Sequence, residues 1–233
     1  MKLRPAFLYT LAALDAPVSA VILDFGGVLG LSQDPVRVRN MASLCGVTVE
    51  QFSLMYYGER LELDRGTLSM EEYWARIFSE AGREPTQELI ARIEEEDSRG
   101  WIRINQRMVD WAAELRATGY RTAILSNMPT SKLRFIRGDP AFSWINDFPV
   151  AVFSCDYRRV KPEPAIYATC LGLLDRKPSE CLFLDDSTAN VEGGRAVGLP
   201  SMLFRSAEEA APDLSGRWRL PVGSLLRRAR DAR

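Results

Sequence analysis

Val21-Ile22-Leu23-Asp24-Phe25-Gly26-Gly27-Val28-Leu29 is the stretch whose reading decides the fold. Three apolar residues lead into a carboxylate, two glycines follow, and two apolar residues close it. The apolar lead predicts a buried parallel strand. The glycine pair permits backbone conformations that other residues resist and lets a ligand approach the main chain. Asp24 is then expected at the carboxyl end of a strand, where open α/β sheets bind their ligands. A charge there is costly unless it is solvated, paired or bound to a metal. Taken alone, the stretch also fits an ordinary strand and turn with a hydrogen-bonded Asp.

Three later stretches end an apolar run in polar groups in the same way. They are Ile124-Leu125-Ser126-Asn127, Arg159-Val160-Lys161-Pro162-Glu163-Pro164 and Leu182-Phe183-Leu184-Asp185-Asp186-Ser187. With Asp24 they supply, in order, a carboxylate, a hydroxyl with an amide, an ammonium and a carboxylate pair. Strand and helix alternate around them. Met108, Trp111, Ala112 and Leu115 share a helix face that Gly119 closes. Strands are predicted at 122–125, 150–153, 181–184 and 201–204. Helices are predicted from the first-turn Pro164 onward and over 189–197. This order predicts an α/β fold, a Rossmann-like doubly wound parallel sheet built from residues 20–32 and 105–205.

Residues 33–104 break the alternation and read as helix throughout. Thr48 with Gln51, and Ser69 with Glu72, have the spacing of capping boxes. Tyr73, Trp74, Ile77 and Phe78 form an apolar stripe at helical spacing. In the helix predicted over 86–99, Leu89, Ile90 and Ile93 face inward and Glu94-Glu95-Glu96-Asp97 reads as the solvated face. The segment is expected to be an all-helical cap inserted after the first stretch. Residues 1–19 resemble a secretory signal, but Asp15 interrupts the apolar run and cleavage after Ala20 would cut the first strand. A non-catalytic extension is expected there. Residues 206–233 read as a mixed polar tail, with a solvated terminal helix at 225–230.

Composition narrows the function. A chain of 233 residues suits one large domain or a domain with an insertion. Thirty basic and 31 acidic side chains leave a net charge of −1, too little to recruit nucleic acid or anionic membrane. After the N-terminal 20 residues no run approaches the length of a membrane span. Histidine is absent, which excludes imidazole catalysis and His-ligated zinc. Cys45, Cys155, Cys170 and Cys181 form no C-x-x-C pair and read as thiols of a reducing, cytoplasmic protein.

The four stretches together resemble the signature motifs of the haloacid dehalogenase-like hydrolase superfamily, over about residues 20–205. The resemblance implies that Asp24 is the nucleophile of an aspartyl-phosphate intermediate. A carboxylate at neutral pH needs no base to activate it, which suits a chain without His. It implies Mg²⁺ held by Asp24, the main-chain carbonyl of Gly26, Asp185 and Asp186. Hard oxygen ligands suit that ion, and a cation eases the repulsion of adjacent carboxylates. Ser126 and Asn127 are donors for phosphate oxygens or for orienting the nucleophile. Lys161 would neutralise the phosphoryl group as a point charge. Asn190 is a candidate support for the metal shell. Each has an ordinary alternative: Ser126-Asn127 as a turn, Lys161 as a surface lysine, Asp185-Asp186 as one solvent group and one helix cap.

One position departs from the family. Its phosphatases usually carry a second Asp two residues after the nucleophile as acid/base, and here Gly26 stands there. Such catalysis contributes roughly 10²–10⁴-fold. Glu59, Glu62 and Asp64 are candidates to supply the acid from the cap, and Tyr56, Tyr57 and Trp74 to line its mouth. The expected function is a Mg²⁺-dependent phosphatase of a small phosphorylated metabolite such as a sugar phosphate, acting as monomer or homodimer, with no nucleic-acid or membrane partner. The alternatives are a metal-independent 2-haloacid dehalogenase and a catalytically weak binding or regulatory protein of the same fold.

Overall fold

The structure is a computed structural model that describes residues 18–227; the expected extension at 1–19 lies almost wholly outside them. The chain begins with β1 (Ala20–Leu23), then five helices: α1 (Pro35–Cys45), α2 (Val49–Gly58), α3 (Arg60–Arg65), α4 (Met70–Glu80) and α5 (Gln87–Gly100). It continues with α6 (Gln106–Ala117), β2 (Arg121–Ser126), α7 (Thr130–Gly138), a short helical segment at Pro140–Asp147, β3 (Val150–Phe153) and α8 (Ser154–Tyr157). It then runs through α9 (Pro164–Leu174), β4 (Cys181–Asp185), α10 (Thr188–Ala196), β5 (Ser201–Leu203), α11 (Ala207–Gly216) and α12 (Gly223–Leu226).

The five strands form one parallel sheet in the order β3-β2-β1-β4-β5. All four residues of β1 are buried, because the sheet is covered on both faces. Val21 and Leu23 point to a core closed by α6, α7, α11 and α12, with Trp111, Leu115, Leu133 and Leu214. Ala20 and Ile22 point to the opposite core, where α9 presents Ile166, Tyr167, Cys170 and Leu174. The chain steps from β1 to β2 and β3 on one side and to β4 and β5 on the other. A crevice therefore opens at the carboxyl ends of β1 and β4.

The inserted helices bury a core of their own around Met41, Phe52, Tyr56, Tyr73, Trp74, Phe78 and Ile93. Both capping boxes form, and Gly46 closes α1 at φ 75°. The two connections to the sheet run side by side. Leu31 N–H donates to Arg103 O (2.8 Å), Asn105 N–H to Leu29 O (2.9 Å) and Asp34 N–H to Gly100 O (3.0 Å).

Two expectations are corrected. Asp97 is not on a solvated face; it is 1% exposed, because it lies on the turn positions of Ile90 and Ile93 and faces inward with them. The segment after residue 206 is not a polar tail up to Leu226. Ala207, Ala211, Leu214, Leu220 and Leu225 complete one core of the sheet, and the solvated helix expected at 225–230 lies mostly outside the described residues. Among the described residues no helix is long and apolar enough to cross a membrane.

Candidate active site

Asp24 leaves β1 with its N–H still paired to Leu184 O (3.0 Å), so the nucleophile candidate extends the strand. The chain then turns sharply. Gly26 is extended (φ −67°, ψ 133°), and Gly27 is left-handed (φ 72°, ψ −8°). A Cβ on Gly27 would stand 2.1 Å from Asp186 Oδ2. Backbone and space both demand glycine there. Gly27→Ala is expected to lose about 1–3 kcal/mol of stability from the left-handed conformation alone. Chemical denaturation measures it, and a variant as stable as the parent contradicts this account of the turn.

Lys161 is the hub of the site, 1% exposed. Its Nζ lies 2.8 Å from Asp24 Oδ1 and 2.7 Å from Asp185 Oδ2, and donates to Leu125 O at 2.8 Å. It therefore ties the ends of β1, β2 and β4 together. The Asn127 side chain fixes the lysine's own backbone, donating to Lys161 O (2.9 Å) and accepting from Lys161 N–H (2.8 Å). Asn127 was expected as a phosphate donor or to orient the nucleophile; its amide holds the main chain of Lys161. Ser126 is buried, and its hydroxyl reaches Asn127 O at 3.4 Å, the long end of hydrogen-bonding range. Asn190 Nδ2 donates to both Asp185 oxygens (3.0 and 3.2 Å), and Ser187 N–H donates to Oδ1 (2.8 Å). Asp185 is thus oriented by three donors, while Asp186 stays exposed over Gly27.

The electrostatics are those of crowded acid. Burial pushes the Asp24 carboxyl up to about 7, Lys161 pulls it down and Asp185 pushes it further up. Burial and Asp185 raise Asp186 as well. Burial disfavours the Lys161 charge, but Asp185 and Asp24 overcome it and hold the ammonium well above its ordinary range. One oxygen each from Asp24, Asp185 and Asp186 lies within 4.8 Å of the others. Three carboxylates face one ammonium. An all-oxygen donor set with surplus negative charge fits a hard divalent cation.

The candidate acids of the inserted helices are otherwise engaged. Glu59 pairs with Arg76 (2.5 Å), and Glu62 with Arg65 and Thr67, both at the surface. Asp64 is buried against Arg60 Nε (3.1 Å). Tyr56 and Trp74 are fully inside the helical core, whereas Tyr57 is 59% exposed. A buried polar cluster stands next to the site. Tyr56 OH donates to Asp97 (2.6 Å) and accepts from Arg60 (2.6 Å), and Lys132 Nζ lies 3.9 Å from Asp97 and 4.3 Å from the Trp101 ring centroid. Burial pulls the Lys132 ammonium down to about 7. The inward spacing of Asp97 after Ile90 and Ile93 was a readable signal; Lys132 and Trp101 had none.

A family model described as haloacid dehalogenase-like hydrolase matches residues 18–198, which include all four site segments. The chain belongs to the haloacid dehalogenase-like hydrolases. Among its relatives, this hydrolase is 29% identical over 167 residues to bifunctional epoxide hydrolase 2 of Rattus norvegicus, covering 67% of the chain but only 30% of that relative. It is 26% identical over 221 residues to the D-ribitol-5-phosphate phosphatase of Bacteroides thetaiotaomicron, covering 90% of the chain and 98% of the relative. The hydrolase also superposes on a Bacteroides thetaiotaomicron family enzyme solved with magnesium and inorganic phosphate. The TM-score is 0.65 at 22% identity, over 80% of this chain and 93% of that one. At that identity the likeness establishes the fold.

Proposed function

We propose that this hydrolase is a Mg²⁺-dependent phosphatase of a small phosphorylated metabolite, such as a sugar phosphate. The observation that carries the proposal is one buried ammonium held within 2.8 Å of two carboxylates, with a third carboxylate completing an oxygen cluster. The full-length similarity to a sugar-alcohol phosphate phosphatase supports it. Four unpaired thiols suit a reducing compartment such as the cytoplasm.

Asp24, as the carboxylate, bonds to phosphorus without a base, and the bond from phosphorus to the ester oxygen breaks, the leaving oxygen keeping the electron pair and taking up a proton from solvent. Lys161 neutralises the charge on the phosphoryl oxygens and holds Asp24 in line. The Ser126 hydroxyl donates to one of those oxygens. Asn127 positions Lys161, and Asn190 positions Asp185. Asp24, Asp185, Asp186 and the Gly26 carbonyl would hold Mg²⁺, which supplies a fixed positive charge against the phosphoryl group. Water then attacks phosphorus, releasing phosphate and the free Asp24.

Phosphate release from an aryl phosphate, with and without chelator, tests this reading. Release should fall to background on chelation and return with added Mg²⁺. Halide release from a 2-haloacid that survives chelation would replace the phosphatase with a dehalogenase. Silence across a broad panel of metabolite phosphates would leave a binding protein.

A further inference from the structure

The buried cluster beside the site leaves two opposite charges unsatisfied. Asp97 is oriented through one of its oxygens: Oδ1 accepts from Tyr56 OH (2.6 Å) and from Gln33 Nε2 (3.2 Å). Its Oδ2 has Arg60 at 3.8 Å and Lys132 at 3.9 Å, both beyond hydrogen-bonding range. The Lys132 ammonium finds no hydrogen-bond acceptor among the described residues and rests 4.3 Å from the Trp101 ring centroid. Both side chains are more than nine-tenths buried, Asp97 at 1% exposure and Lys132 at 7%. Buried polar groups ordinarily close on each other or on a third partner. An oxygen atom lodged between Oδ2 and Nζ can lie about 2.8 Å from both, the normal length of such bonds.

The cluster lies against both loops that carry the reaction centre. On one side the Trp101 ring abuts the turn after Asp24, with Cζ3 3.0 Å from where a Cβ on Gly26 would stand. On the other, the Ser154 hydroxyl accepts from the N–H of Met128 (2.8 Å), two residues past Ser126, and donates to the carbonyl of Asp64. The Asp64 carboxylate in turn holds Arg60 Nε (3.1 Å). Tyr57 feels both groups of acids. Burial raises its phenol, Arg60 lowers it, and Asp97 and Asp186 push it further up. Charge then narrows the ligand. Arg60 and Lys132 offset Asp64 and Asp97, so the cluster sums to zero. A carboxylate or an amine would unbalance it; a hydroxyl would not, and it can accept from Lys132 while donating to Asp97.

We propose that Lys132 and Asp97 are specificity-determining residues that bind a hydroxyl of the leaving group between them, so that the hydrolase selects phosphates of polyhydroxylated alcohols over those of plain alkyl alcohols. This rests on the phosphatase reading and adds to it the part of the substrate beyond the ester bond. A site built to hydrogen-bond a hydroxyl rejects the analogue that lacks it, because the site's own polar groups are then left unpaired.

The experiment compares kcat/KM, with Mg²⁺, for a pentitol phosphate, each of its single-deoxy analogues and n-pentyl phosphate, in the parent, Lys132→Met and Asp97→Asn. The parent should favour the pentitol phosphate over n-pentyl phosphate by at least about 10²-fold. Loss of one particular hydroxyl should cost it at least about tenfold, as a hydrogen bond to a charged group does. That tenfold should vanish in either variant, while the effects of the other hydroxyls remain. Asp97→Asn is nearly isosteric and decides the matter where Lys132→Met fails to fold. A folded variant that keeps the parent's full discrimination leaves the gap to an interior water and overturns the proposal. So does a parent that hydrolyses pentitol and n-pentyl phosphates alike, or one in which no single hydroxyl carries tenfold; neither result needs a variant, and both leave the phosphatase intact. A parent that releases phosphate from no ester overturns the phosphatase reading as well.

Discussion

Asp24→Asn should cost at least about 10³-fold in kcat for phosphate release, because removing a nucleophile leaves only the binding and electrostatic parts of the catalysis. The change is nearly isosteric. The Asn oxygen can still accept from Phe25 N–H, as Asp24 Oδ1 does at 2.7 Å. It can also accept from Lys161, whose other contacts to Asp185 and Leu125 remain. The fold should therefore survive, and circular dichroism should show it. Steady-state phosphate release checks the rate; retention of more than a tenth of the parent's turnover contradicts Asp24 as nucleophile.

Lys161→Met should be the most damaging change for stability. The side chain is buried among Asp24, Asp185 and the Leu125 carbonyl, and its length is kept by Met while its charge is not. Removing one partner of a buried ion cluster typically costs about 3–5 kcal/mol, since the remaining charges are stranded in a poorly solvated place. Here two carboxylates would face each other, with Asp186 near. Divalent cation should recover part of the loss, because binding to the native state alone stabilises it by mass action. Melting curves with and without Mg²⁺ check both: the variant should melt lower than the parent and gain more from the ion. A variant that melts like the parent would show that the lysine does not hold the strand ends together.

Much of this was legible before the structure because the relevant signals are local. Apolar runs ending in polar groups, Gly119 as a helix stop, Pro164 as a helix start and two capping boxes each depend on a few neighbouring residues, and they place β1, β2, β4, α4 and α9 correctly. Asp24, Ser126, Lys161 and Asp185 were singled out for the same reason, being strand-end groups of a parallel sheet. What escaped depends on contacts between distant segments. The 3.0 Å approach of Trp101 to position 26 spans 75 positions of sequence. Lys132 looks like any helix-surface lysine until Asp97 and Trp101 meet it. The contact of Asn127 with the main chain of Lys161 could not be read, because its partner is 34 residues away. Helix α3 was not distinguished within the helical segment, because its six residues are too few for a periodic signal.

The central claim is that Asp24 is covalently phosphorylated during turnover. Acid-quenching the chain as it hydrolyses an aryl phosphate with Mg²⁺, followed by peptide mass spectrometry, tests it directly. The account predicts a phosphoryl adduct on Asp24 that is absent from Asp24→Asn; steady turnover with the adduct on another residue, or with none captured at any quench time, would contradict it.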